Sequence, residues 1–193
     1  MNNLVLATNA TDSLALPGEQ ASERRTYLSF QIDETLSAVL DMDEVHEVLS
    51  IAPAQLTPVF NMPACVLGLL TRRSRAIWAV DLSQLLLSDS VLSQGACSSL
   101  PKAYSVIVIR VVPPWLERAS LGFQGGGEQV LFGLVVRSVK GSVSLASNAI
   151  QAPQGHFSAS FAPCLRGTAL CDRTLFHVLS GDAIARSAHL MAV

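Results

Sequence analysis

This sequence of 193 residues predicts an all-β fold, two small barrels with only short helices. Three observations lead there. Short alternating or apolar segments recur at close spacing, with turn residues between them. A block in the middle of the chain returns, degraded, near its end. Half of the residues are apolar and only 15% are charged, which implies extensive burial and at least one apolar surface used for partners.

The repeat runs from Pro63 to Leu82 and again from Pro163 to Leu179. Each copy has a Pro, a Gly four or five residues later, a short apolar run, a polar turn and a second apolar run. Each is followed by a segment of helical character. Two similar halves create a groove where they meet.

The elements follow in order. Residues 1–25 carry Asn, Thr, Ser, Gly and Pro with scattered Leu, and are expected as a flexible tail. Thr26 to Ile32 alternates and reads as a strand. Asp33-Glu34-Thr35 is a turn, and Leu36 to Leu40 a second strand. Asp41 to Val45 suits one helical turn. Val45 to Ile51 is a third strand, ended by Pro53. The first repeat supplies two strands around Thr71-Arg72-Arg73-Ser74, and Leu82 to Leu87 a short helix. Thus the first barrel spans about 26–87, and the Ser-rich stretch 88–102 is the linker.

The second barrel is expected over about 103–187. Ala103 to Val112 is β-branched and reads as a strand, stopped by Pro113-Pro114. A long loop with Gly125-Gly126-Gly127 leads to a return strand, Gln129 to Val136. Gly141 to Leu145 forms another strand and Ser147 to Pro163 a loop. After the second repeat, Asp182 to Met191 forms a small helix, and 188–193 is a C-terminal tail.

Composition narrows the function. Net charge is −2, so no field draws in nucleic acid or an acidic membrane. No apolar run reaches the roughly 20 residues of a spanning helix, so direct membrane insertion is not expected. The N-terminus has neither early positive charge nor a long apolar stretch, so it is no secretory signal. The four cysteines, Cys65, Cys97, Cys164 and Cys171, form no close pair and read as free thiols in a reducing cytoplasm.

No cofactor, metal or catalytic set is indicated. His156, His177 and the acids lack ligand spacing. The triple glycine has no following Lys-Ser/Thr and opens no helix, so it is not a phosphate loop. His46-Glu47 resembles a phosphoacceptor pair but sits among strand-like residues. Cys164, Cys171 and His177 match Cys65, Arg72 and Trp78 when Gly68 is set on Gly167, which points to packing rather than thiol–imidazole chemistry.

Four blocks resemble a known family. They are Tyr27-Leu28-Ser29-Phe30, Val45-His46-Glu47-Val48, Asn61 to Gly68 running on to Val80-Asp81-Leu82, and Phe132-Gly133-Leu134-Val135-Val136. Their order is similar to that of CheW-like domains, the adaptor modules of bacterial chemotaxis arrays. The resemblance covers roughly Thr26 to Ala188. It implies two SH3-like five-stranded β-barrels with a hydrophobic groove between them. It also implies a non-enzymatic, cytoplasmic scaffold joining a methyl-accepting chemoreceptor's cytoplasmic tip to a CheA-type histidine kinase. Asn61-Met62-Pro63 with Trp78 to Leu82 resembles the branch found in cyanobacterial type IV pilus and phototaxis operons.

The chain departs from the family pattern in places. The turn expected as N-L-R-G is Thr71-Arg72-Arg73-Ser74, which keeps the arginine and loses the glycine. Arg137 replaces an Asp after the Phe132–Val136 strand, and Ser180 replaces the Asp that closes the repeat.

Five residues are candidates for partner binding: Glu47, Gly68, Arg73, Leu131 and Phe132. Arg73 either meets a carboxylate or carbonyl of a partner or is a solvated arginine beside Arg72 and Arg75. Glu47 is either a partner contact or an ordinary strand charge. Gly68 serves backbone geometry, and could also admit a helix closely. Leu131 and Phe132 either line the receptor groove or pack the core. A nucleic-acid-binding barrel is the alternative. It needs a basic face with interleaved aromatics, and aromatics are only 6%.

Overall fold

Strands dominate the described residues, which are 23–87, 102–111 and 130–187 of the computed structural model. The first half supplies β1 (Arg24–Gln31), β2 (Ser37–Asp41), β3 (Val45–Ile51), β4 (Leu56–Thr57), β5 (Val66–Arg72), β6 (Arg75–Asp81) and α1 (Leu82–Leu87). The second supplies β7 (Tyr104–Val111), β8 (Val130–Val136), β9 (Ser138–Ala146), β10 (Ile150–Gln151), β11 (Leu165–Cys171), β12 (Thr174–Leu179) and α2 (Gly181–Ala185). The expected stretches 88–101, 113–128 and 188–193, and the first 22 residues, lie outside the described residues.

Two six-stranded sheets result, ordered β10-β11-β12-β2-β1-β9 and β4-β5-β6-β8-β7-β3. Adding six to each strand number of the second sheet, and counting past twelve from one again, gives the first. The parallel pairs correspond as well, β6 with β8 and β12 with β2. Each half therefore lends its opening hairpin, β1–β2 or β7–β8, to the other half's sheet. The expected spans 26–87 and 103–187 are thus joined by this exchange of strands. Each SH3-like barrel draws on both halves, and a two-residue strand, β4 or β10, brings each sheet to six strands rather than five.

The exchange explains the doubly apolar strands. Along β7, Val106 and Val108 enter one buried cluster, while Ile107, Ile109 and Val111 enter another. Likewise Leu131 and Val135 of β8 face one way, and Phe132, Leu134 and Val136 the other. One face fills a barrel and the opposite face packs against the other sheet, so polar alternation has no place there. The inter-sheet core includes Leu28, Phe30, Leu40, Val80, Ile107, Leu134 and Leu179. Tyr27, Val39, Leu145, Ala169 and Val178 fill the other barrel.

Ends differ from expectation where long-range pairing decides them. β1 begins inside the expected tail because Arg24 and Arg25 pair with Ala146 and Leu145 of β9. Asp41 to Val45 is a tight turn, closed by Glu44 N–H donating to Asp41 O at 3.0 Å. β10 lies in a segment expected as loop, and β4 in one for which no element was expected. The last helix stops at Ala185, short of the expected Met191. Both helices are capped. The Asp81 carboxylate accepts from Ser83 N at 2.9 Å and Gln84 N at 3.1 Å, and Ser180 Oγ accepts from Ala183 N at 3.4 Å. Ser180 thus does the capping work of the Asp it replaces.

Candidate functional site

The repeat builds its two copies with the same backbone devices. A bulge interrupts β5 between Val66 and Gly68, and another interrupts β11 between Leu165 and Gly167. Asp81 N donates to Cys65 O at 2.7 Å, and Ser180 N to Cys164 O at 2.9 Å. Setting Gly68 on Gly167 superimposes every one of these features.

Gly68 is fixed by close approach. A Cβ there would lie 2.4 Å from Thr57 O, and its φ of +142° is one that side chains rarely adopt. At Gly167 a Cβ would meet Gln151 O at 2.6 Å. Both glycines let a short strand, β4 or β10, cross over the bulge. Gly68 is buried beneath β4, so the geometry assigns it to backbone packing.

The β5–β6 connection is a two-residue turn. Arg72 pairs with Arg75, and Arg73 and Ser74 take φ of +47° and +61°. Positive φ at both central positions is the hairpin geometry whose twist matches the strands. The second copy repeats it with Asp172 at +48° and Arg173 at +66°. So the turn keeps a glycine-type shape without a glycine. Arg73 is exposed at its tip, and among the described residues no hydrogen bond or ion pair involves it.

Its neighbour is occupied. Arg72 Nη2 lies 3.5 Å from Glu47 Oε2, joining β5 to β3. Glu47 follows a bulge in β3 at His46, whose Nδ1 is 3.0 Å from Arg110 Nη2. Val48, beside Glu47, is 44% exposed. The Arg72–Glu47 pair thus lies at the base of the turn that Arg73 tips, while Val48, next along β3, faces the opposite side of the strand. The structure brings two of the five candidates, Glu47 and Arg73, to this turn.

Leu131 and Phe132 are elsewhere. They are 8% and 5% exposed, in different buried clusters of the central strand β8. Both side chains pack in the core. The sequence alone could not separate these roles, because a strand buried on both faces reads as an unbroken apolar run.

Three features escaped the sequence reading. Phe60, between β4 and β5, is 89% exposed. On the second copy, Leu170 and Leu175 are 70% and 51% exposed, facing each other across β11 and β12. The repeat registration held that signal, since their counterparts in the first copy are Thr71 and Ala76. Third, Glu44 clasps the second copy. Its carboxylate pairs with Arg166 Nη2 at 2.6 Å and accepts from Gly181 N at 2.7 Å. Burial pushes Glu44 above the ordinary carboxylate range, although both partners pull the other way.

Among the described residues Cys65, Cys164 and Cys171 are free, and the first two are buried. Burial raises Cys65, and lifts Cys164 to about 11. Cys171 Sγ contacts Asp172 Oδ2, and His177 Nδ1 meets Ser37 O at 3.1 Å, so the structure does not join them as a nucleophile and base. Arg137, in place of the expected Asp, pairs with Glu34 at 2.9 Å. No helix among the described residues is long and apolar enough to cross a membrane.

Comparison with known proteins agrees with this architecture. No curated protein matches the sequence. Among solved structures, the scaffolding protein TtCheW from Thermoanaerobacter tengcongensis is similar, with a TM-score of 0.62 and 17% identity, over 84% of this chain and 92% of that one. The sequence profile of the CheW-like domain matches residues 26–189. The chain therefore belongs to the CheW-like domain family.

Proposed function

We propose that this protein is a non-enzymatic adaptor that couples a chemoreceptor's cytoplasmic tip to a CheA-type histidine kinase. Family membership supports the class of function, and one observation carries the site. An arginine stands free on a hairpin tip beside the Arg72–Glu47 ion pair. A planar guanidinium so placed can take a carboxylate or two carbonyls of a partner at once. Glu47, held by Arg72 at the base of the same turn, supplies an acceptor beside it.

The kinase's regulatory domain is the expected occupant of this surface. Gly68 serves the surface indirectly, by seating β4 against β5. The work belongs to the cytoplasmic face of a chemotaxis or pilus-based motility system, phototaxis included.

Calorimetric titration of the kinase regulatory domain into the protein tests the reading. Saturable binding is expected, weakened when Glu47, Arg72 and Arg73 are replaced together. Binding unchanged by that replacement would remove the kinase from this surface. A salt series separates the nucleic-acid alternative, whose affinity falls steeply with salt.

A further inference from the structure

A trough over β10–β12 has the make-up of a small-molecule site. Its volume is about 560 Å³, inside the roughly 300–1,000 Å³ of ligand pockets. Phe157, Leu170 and Leu175 form its apolar walls, and His177, Thr168 and Gln151 bring polar groups. Leu170 and Leu175 are 70% and 51% exposed, so their apolar surface is open. Among the described residues no Asp, Glu, Lys or Arg lines the trough. An ionised ligand would lose water there and gain no counter-charge.

One nitrogen gives the trough its polarity. His177 Nδ1 lies 3.1 Å from Ser37 O. A carbonyl only accepts, so Nδ1 carries the hydrogen and Nε2 of the neutral ring is an acceptor. Nε2 has no hydrogen-bond partner among the described residues, where every buried side-chain nitrogen and oxygen has one. It is therefore open to solvent, on a ring that lines the trough. That ring is held edge-on to Phe157 and Phe161, with centroids 5.9 and 5.7 Å away. Thr168 pairs with His177 across β11 and β12, which sets a hydroxyl residue beside it. With Gly68 set on Gly167, these two positions correspond to Leu69 and Trp78, which pair in the same way across β5 and β6. In the second copy an apolar pair has become a hydroxyl and an acceptor.

We infer that this trough binds a small neutral molecule with an aromatic body and one N–H or O–H donor, the chemistry of indoles and phenols, with the donor on His177 Nε2 and the ring against Phe157, Leu170 and Leu175. A flat ring matches the aromatic and leucine walls. Its donor satisfies Nε2, which a purely apolar occupant would cover and leave unpaired. The inference does not depend on the adaptor reading or on the turn that carries Arg73.

NMR titration of the full-length chain with indole tests it, with toluene and benzoate as comparisons. Indole should shift the Leu170 and Leu175 methyl signals and the His177 Nε2 nitrogen signal saturably. Toluene, which has no donor, should bind roughly three- to tenfold more weakly and leave the Nε2 signal in place, and benzoate should not bind. Leu170→Asp, at an exposed site, should abolish the methyl shifts with the melting curve unchanged. Thr168→Val should weaken indole more than toluene. Absence of saturable shifts at millimolar indole would overturn the inference. So would toluene binding as tightly as indole, a preference for benzoate, or methyl shifts that appear only when a partner protein is added, which would give the trough to a protein.

Discussion

Arg73 and Ser74 share one turn and have separable effects. Arg73 is exposed and forms no hydrogen bond or ion pair among the described residues, so Arg73→Ala should leave the melting temperature nearly unchanged. It should weaken the kinase complex by roughly 1–3 kcal/mol, the range of a charge-assisted hydrogen bond. Arg72→Ala releases Glu47 from a half-exposed pair. Its expected cost in stability is at most about 1 kcal/mol, with a smaller effect on binding than Arg73→Ala. Calorimetry and melting curves on both variants check this. Ser74 sits at φ +61° without glycine's freedom. Ser74→Gly should therefore stabilise the fold by about 1 kcal/mol, a rise in Tm of roughly 2–4 °C, without altering binding.

At the scale of elements, the bulge and its crossing strand act as one unit. Gly68→Ala and Gly167→Ala each set a methyl against backbone carbonyl, at 2.4 and 2.6 Å, which no side-chain rotation relieves. Each should cost about 2 kcal/mol or more, readable in denaturant titrations. Loss of stability in step with any loss of binding would confirm Gly68 as a structural glycine. Glu44, joining the β2–β3 turn to β11 and α2, gives a pH signature. Its folded pKa lies above the ordinary 4.5 because burial outweighs its partners. The folded state therefore holds this proton more tightly than the unfolded chain. The contribution is fully present below the unfolded value and is lost as pH rises through the folded one. The stability of wild type relative to Glu44→Gln should fall across that interval and then level. A difference that rises instead would contradict the burial argument.

These elements were unequally legible in the sequence. β3 and α1 were read to the residue, and the β5–β6 and β11–β12 hairpins from their repeat. Their local patterns, an apolar alternation or run bounded by turn residues, are sufficient. β4 and β10 were not, because two residues carry no period. Nor was the clasp of Glu44 on Arg166, which joins positions 122 residues apart. Leu131 and Phe132 were legible as strand, with groove and core both left open, since burial on both faces depends on the partner sheet.

At the scale of the molecule, the exchange of opening hairpins means that neither half closes alone. The strands β1 and β2 complete a sheet made otherwise by β9–β12, and β7 and β8 complete the other. A protease site placed within 88–101 and cleaved under native conditions should leave both fragments together on a sizing column, parting only in denaturant. Independent lobes would separate at once. The same interlocking ties the β5–β6 hairpin that carries Arg73 to β8 of the other half, which suits a part that must hold two partners in fixed relation. The adaptor claim is tested most directly by bridging. A receptor-tip fragment is immobilised and offered the kinase, with and without this protein. Retention of kinase only when the protein is present, and its loss with Arg73→Ala while the protein itself stays on the receptor, is the predicted result. Kinase retained equally without the protein, or a protein that binds neither component, would contradict the account.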